Sequence, residues 1–139
     1  MRHFIVLFIA FFVSDYAFSQ SVEEVTRLED LRFQDHLAPF YHGVASGDPA
    51  AHSVVLWTRY TSDEFIDQPV SLTLSIATDA ELKNVVQSHK VLADPLNDYT
   101  AKFVATGLEA DKYYYYVFTS NDGRNSLIGR TKTTAEGEY

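Results

Sequence analysis

From Pro39 onward, apolar and polar side chains alternate with a period of two. Val70, Leu72, Leu74 and Ile76 alternate with Ser71, Thr73, Ser75 and Ala77, the cleanest run in the chain. Tyr99, Ala101, Phe103 and Ala105 alternate with Thr100, Lys102, Val104 and Thr106, and Tyr114, Tyr116 and Phe118 with Tyr115, Val117 and Thr119. Such alternation is the mark of strands with one face in a core. Turn signals punctuate the runs: Gly47-Asp48-Pro49, Asp94-Pro95, Gly107 and Asn121-Asp122-Gly123. The last joins two apolar runs and predicts a hairpin. The predicted strands are Tyr41–Ser46, Ser53–Tyr60, Val70–Ala77, Val85–Ala93, Tyr99–Thr106, Lys112–Ser120 and Ser126–Thr133, with room for one helical turn at Asp79–Asn84. No helical stretch separates the strands, so parallel crossovers are excluded and the pattern predicts an all-β, antiparallel sandwich of about seven strands. There is no internal repeat and no low-complexity tract.

Upstream of Pro39 the pattern differs. Met1-Arg2-His3 precedes an uncharged run from Phe4 to Val13, and the small-residue step Ala17-Phe18-Ser19 follows. A basic start, an apolar middle too short to span a bilayer and an A-x-S end predict a signal peptide over 1–19. The mature chain is then secreted or periplasmic, with no membrane span left after cleavage. No twin Arg is present, which points to the general export route. Residues 20–38 form a linker, with a helix as the alternative. Ser21 and Glu24 fit a capping box, and Val22, Val25, Leu28 and Leu31 recur every three residues. The sandwich itself is expected over 39–134, and 135–139 as the start of a connection to a domain beyond this chain.

Two features narrow the sandwich to the fibronectin type III-like or immunoglobulin-like kind. Trp57 is the only Trp and shares a strand face with Val55. One large ring can fill the ~10 Å between two sheets, which predicts Trp57 inward. Leu108 and Tyr114 are six apart across a polar turn, the spacing of a tyrosine corner. With Trp57 and Tyr114 inward, Val54, Leu56, Tyr113 and Tyr115 point outward. Apolar groups on an outer sandwich face mark an interface, so these four are the expected interdomain face.

Composition narrows the chemistry. The chain has 139 residues, a formal net charge of −8 and no Cys. Phosphate backbones reward clustered Lys and Arg, so nucleic acid is not an expected partner. Disulfides, thiolate metal sites and a Cys nucleophile are excluded. Ser46 lies between Ala45 and Gly47, but a nucleophile elbow needs Gly two residues to either side, and Gly43 and Gly47 do not fit. His36, His42 and His52 are too far apart, across a linker and two strands, for a convergent metal site, and His89 is isolated. No Gly-rich turn opens a helix with a following Lys, so no phosphate cradle is expected.

One resemblance supplies a function. His42-Gly43-Val44-Ala45-Ser46-Gly47-Asp48-Pro49, followed by Val54-Val55-Leu56-Trp57-Thr58-Arg59, is similar to the opening of PhoD-like alkaline phosphatases, also called alkaline phosphatase D, whose first domain has carried a phospholipase D label. The similarity continues through Asp79–Val86, Tyr99–Tyr116 and Ile128–Thr133, and covers roughly 39–134. It implies a secreted phosphoesterase acting on phosphate monoesters and diesters with bound iron and calcium. In that family the metal ligands lie in a second, larger metallophosphoesterase domain, which begins soon after the position matching Thr134. No catalytic, cofactor-binding or metal-binding residue therefore carries over to this chain. The matching residues read as structural. Gly43 and Gly47 are expected to take backbone angles that other residues resist. Asp48-Pro49 sets a turn, Trp57, Leu108 and Tyr114 fill the core, and Arg59 reaches a carboxylate on a neighbouring strand or on the second domain. The expected partner is that downstream catalytic domain. The alternative is a free-standing fibronectin III-like binding or adhesion module, which composition fits equally well.

Overall fold

A computed structural model describes residues 35–62 and 66–137 of the chain. The expected signal peptide and nearly all of the expected linker lie outside the described residues. Seven strands follow one another: β1 (Val44–Gly47), β2 (Ser53–Arg59), β3 (Val70–Ala77), β4 (Val85–Ala93), β5 (Thr100–Thr106), β6 (Tyr113–Thr119) and β7 (Gly129–Lys132). They form two antiparallel sheets, one in the order β1-β2-β5 and the other in the order β4-β3-β6-β7. The chain changes sheet between β2 and β3, between β4 and β5, and between β5 and β6. This is the expected all-β sandwich.

Strand bounds differ from the expected ones mainly at their ends. The first strand starts at Val44 because Tyr41–Gly43 form a turn, in which Gly43 has φ +67° and donates its N–H to Phe40 O at 2.8 Å. The last strand starts only at Gly129, since Ser126 closes the hairpin first, donating its N–H to Phe118 O. The hairpin turns at Asn121-Asp122-Gly123, where Ser120 N–H bonds to Arg124 O and Gly123 has φ +85°. Asp79–Asn84 is a turn and not a helical one. The Asp79 carboxylate accepts from Lys83 N–H at 3.0 Å and Asn84 N–H at 2.7 Å, and Leu82 takes φ +57°. These bonds also hold the Asp79 carboxyl below its ordinary range, the Lys83 N–H first.

The core lies between the sheets. Leu72, Leu74 and Ile76 of β3 and Tyr114, Tyr116 and Phe118 of β6 face Val54 and Leu56 of β2 and Ala101 and Ala105 of β5. Tyr116 and Phe118 meet edge to face at 6.3 Å. Phe40, just before β1, closes one end and meets Tyr60 in the same way at 6.2 Å. Each of these large side chains contributes about 1.5–3 kcal/mol by leaving water.

The faces of β2 are the reverse of those expected. Val54 and Leu56 are buried, at 1% and 0% exposure, and Trp57 is 38% exposed on the outer face. Period two fixes which residues share a face but not which face turns in. The rings of Phe40, Tyr114, Tyr116 and Phe118 are buried in the core with Val54 and Leu56, and Trp57 stands outside it. Thr58 disguised the inward face. It is fully buried, and its hydroxyl donates to Gly43 O at 2.7 Å, which satisfies it without water. On β6 the expected outward residues do point outward: Tyr113 is 50% exposed and Tyr115 half-buried.

Candidate functional site

The two sequence motifs are the two strands of one ladder. Val44, Ala45, Ser46 and Gly47 pair with Thr58, Trp57, Leu56 and Val55. At the start of β1, Gly43 supplies a left-handed turn. Gly47 does not: its φ is not positive, and the left-handed residue is Asp48, at φ +49°. Asp tolerates that region better than most residues, so Asp48-Pro49 sets the turn as expected, while the unusual backbone angle expected of Gly47 is taken by Asp48.

Gly47 has a different consequence. It lies beside the half-buried Val55 on the outer face, and nothing stands within 4 Å of the place its side chain would take. Gly47, Asp48, Val55, Trp57, Thr100 and Lys102 line a shallow groove of about 470 Å³ on the outer face of the β1-β2-β5 sheet. Ladder register explains its composition. Gly47, Val55 and Val104 form one row across the three strands, and Ala45, Trp57 and Lys102 the next. Val104 is 51% exposed. The outer face of the other sheet carries a central stripe of hydroxyls, Ser71, Thr73 and Ser75, with Lys90 donating to Thr73 Oγ1 at 2.8 Å. At its far edge Tyr113 lies against two cations, Arg130 at 5.1 Å and Lys132 at 5.4 Å from the ring centroid.

Polar clusters mark the two ends of β2. Beyond its C-terminal end, Arg59 donates to the Asp98 carboxylate at 2.8 Å, to Asp98 O at 3.2 Å and to the His42 ring. Asp98 precedes β5, so Arg59 reaches a carboxylate beside its neighbouring strand. The guanidinium holds the Asp98 carboxyl below its ordinary range. At the other end, the His52 ring bonds through Nδ1 to Leu108 O and through Nε2 to Glu136 Oε1, each at 2.8 Å. Both acceptors are satisfied together only by the imidazolium, and the Leu108 carbonyl first, then Glu136, raise the His52 pKa. His42 and His52 are thus separated by the length of β2, about 23 Å at 3.3 Å per residue. Among the described residues, no three His, Asp or Glu side chains form a group that could hold a metal ion.

The tyrosine corner sits beside His52. Leu108 and Tyr114 are buried, and Glu109 N–H donates to Tyr114 Oη at 2.9 Å. Thr133 donates its hydroxyl to Glu109 O at 2.7 Å and accepts Lys112 N–H at 3.0 Å. Thr134 N–H reaches Ala50 O, so the end of the described chain is fastened beside the Gly47–Ala50 turn. Ser46, weighed as a nucleophile, is an exposed ladder residue of β1 opposite Leu56. The sequence reading missed Val55, Thr100 and Lys102 at the groove and Val104 beside it. Their signal was present in the alternation, but with the faces inverted.

Comparison with known proteins gives a family. A family model described as the PhoD-like phosphatase N-terminal domain matches residues 25–135. Alkaline phosphatase D of Bacillus subtilis (strain 168) is 38% identical over 100 residues, covering 68% of this chain and 17% of the relative. A solved PhoD structure superimposes with a TM-score of 0.68 at 38% identity, over 72% of this chain and 20% of that one. A human fibronectin type III domain superimposes with a TM-score of 0.51 at 15% identity, over 81% of this chain and 85% of that domain, a likeness of fold. This chain therefore spans about a fifth of the length of the phosphatase relatives it matches.

Proposed function

The chain belongs to the PhoD-like phosphatase N-terminal domain family, and from that premise we propose that it is the non-catalytic N-terminal domain of a secreted phosphoesterase. Hydrolysis of phosphate monoesters and diesters is the work of a downstream domain, which also holds the calcium and iron. The observation that carries this reading is the match to about one-fifth of a longer phosphatase. Of the residues that match the family motif, Gly43, Asp48, Thr58, Arg59, Leu108 and Tyr114 each close a turn, a ladder or an end of the sandwich. None presents a nucleophile beside a base, which acyl or phosphoryl transfer would need.

The apolar start at Phe4–Val13 supports export, with the mature chain secreted or periplasmic and no lipid-spanning segment kept. The test is direct. The chain, with and without added calcium and iron, is assayed against a phosphate monoester and a diester. Turnover no higher than that of a heat-denatured sample is the expected result, and turnover clearly above it overturns the reading.

A further inference from the structure

We infer that the outer face of the β1-β2-β5 sheet, centred on Val55, Trp57 and Val104, is the surface on which the downstream domain docks. The inference rests on the proposed function and names the surface through which that domain is held.

The face is anomalous for its position. Outer faces of sandwich strands are ordinarily polar, as Ser71, Thr73 and Ser75 are on the other sheet. Here two adjacent rows present Val55 beside Val104 and Trp57 beside Ala45, around a groove that Gly47 leaves open. Other exposed apolar side chains, such as Leu92 and Leu96, stand on the β4 edge strand and in the turn after it. A Trp flanked by aliphatic groups in a groove is the usual anchor of an interface, and the Lys102 ammonium at its side gives a carboxylate a place to pair.

Three observations select the occupant. Four-fifths of the solved relative's length lies outside the part this chain matches, enough for a large second body. The segment after β7 is fastened near one end of the groove. Thr134 bonds to Ala50 and Glu136 to His52, while Asp48, two residues before Ala50, lines the groove. A domain continuing from there reaches the face through a short connection, at the millimolar effective concentration that a short linker imposes. Charge argues against a second copy, since two chains of net charge −8 repel.

The single Trp makes the test specific. The full chain is labelled with 5-fluorotryptophan, and its one fluorine resonance is followed by NMR. The titrant is the part of Bacillus subtilis alkaline phosphatase D outside its matched segment, produced separately and used once a cooperative thermal melt shows that it is folded. A saturable shift of the Trp57 resonance is expected. It is lost in Val104→Glu and in Lys102→Glu, two exposed positions each checked for an unchanged melting temperature, and retained in Thr73→Glu on the opposite face. An unmoved resonance overturns the inference, as does a shift that Thr73→Glu abolishes while Val104→Glu does not. So does a resonance that moves with the chain's own concentration, the signature of a second copy. The phosphatase assay on the chain alone separates this from the parent reading: an inert chain with an unmoved Trp57 sinks only the docking face, and an active chain sinks the reading itself.

Discussion

Glu109 donates its backbone N–H to the phenol oxygen of Tyr114 at 2.9 Å, and through that bond the buried ring of β6 fixes the turn that precedes it. Tyr114→Phe keeps the ring and removes the acceptor. It should lower stability by about 1 kcal/mol, the net worth of one hydrogen bond and somewhat more if the N–H is left dry. Urea denaturation of the two proteins measures it. Equal midpoints would mean that the ring alone carries the corner.

The inverted faces of β2 give a sharper test. Leu56→Ala opens a cavity between the sheets, at a cost of about 2–5 kcal/mol. Trp57→Ala trims a partly exposed outer side chain and should cost about 1 kcal/mol. Size alone predicts the opposite order. Thermal melts of both variants decide the matter, and a larger loss for Trp57→Ala would put the indole back in the core.

The glycines should divide by conformation and space. Gly43→Ala places a side chain at φ +67° and should cost about 1 kcal/mol, although nothing lies within 4 Å of the new methyl. Gly47→Ala meets neither obstacle and should stay within about 0.5 kcal/mol. Gly129→Ala drives a methyl into the buried Tyr116 ring and should cost about 1–3 kcal/mol. Chemical denaturation of the three variants gives the ranking, which fails if Gly47→Ala is the worst.

His52 supplies a dependence on pH. Its folded pKa is raised, by the Leu108 carbonyl first and Glu136 second. The stability it contributes is therefore fully present below the unfolded imidazole value of about 6.5 and is lost as pH rises through the higher folded value. His52→Gln should flatten the stability profile across that window and leave the acid limb, where Asp79, Asp98 and Asp122 have lowered values, unchanged. Histidine NMR titration reads the pKa directly. A His52 value at or below 6.5 would remove the link between Glu136 and the ring.

The seven strands were legible in the sequence because alternation, turn residues and the hairpin signal are local properties, each set by a few neighbouring side chains. The strands Val70–Ala77 and Val85–Ala93 agree with expectation residue for residue. The tyrosine corner was legible for the same reason, since six residues of one chain contain both of its partners. The Arg59–Asp98 pair and the His52–Glu136 contact each join residues distant in sequence, and no local pattern announces them.

The sequence by itself determined that Val55 and Trp57 share one face of a strand and Val54 and Leu56 the other, because side chains alternate at every residue. Only the tertiary structure decided which pair faces the core. The interior volume is shared by all seven strands, and the rings of Phe40, Tyr114, Tyr116 and Phe118 are buried in it with Val54, Leu56 and a self-satisfied Thr58 of β2. The indole is left outside, beside a glycine that leaves the groove uncovered.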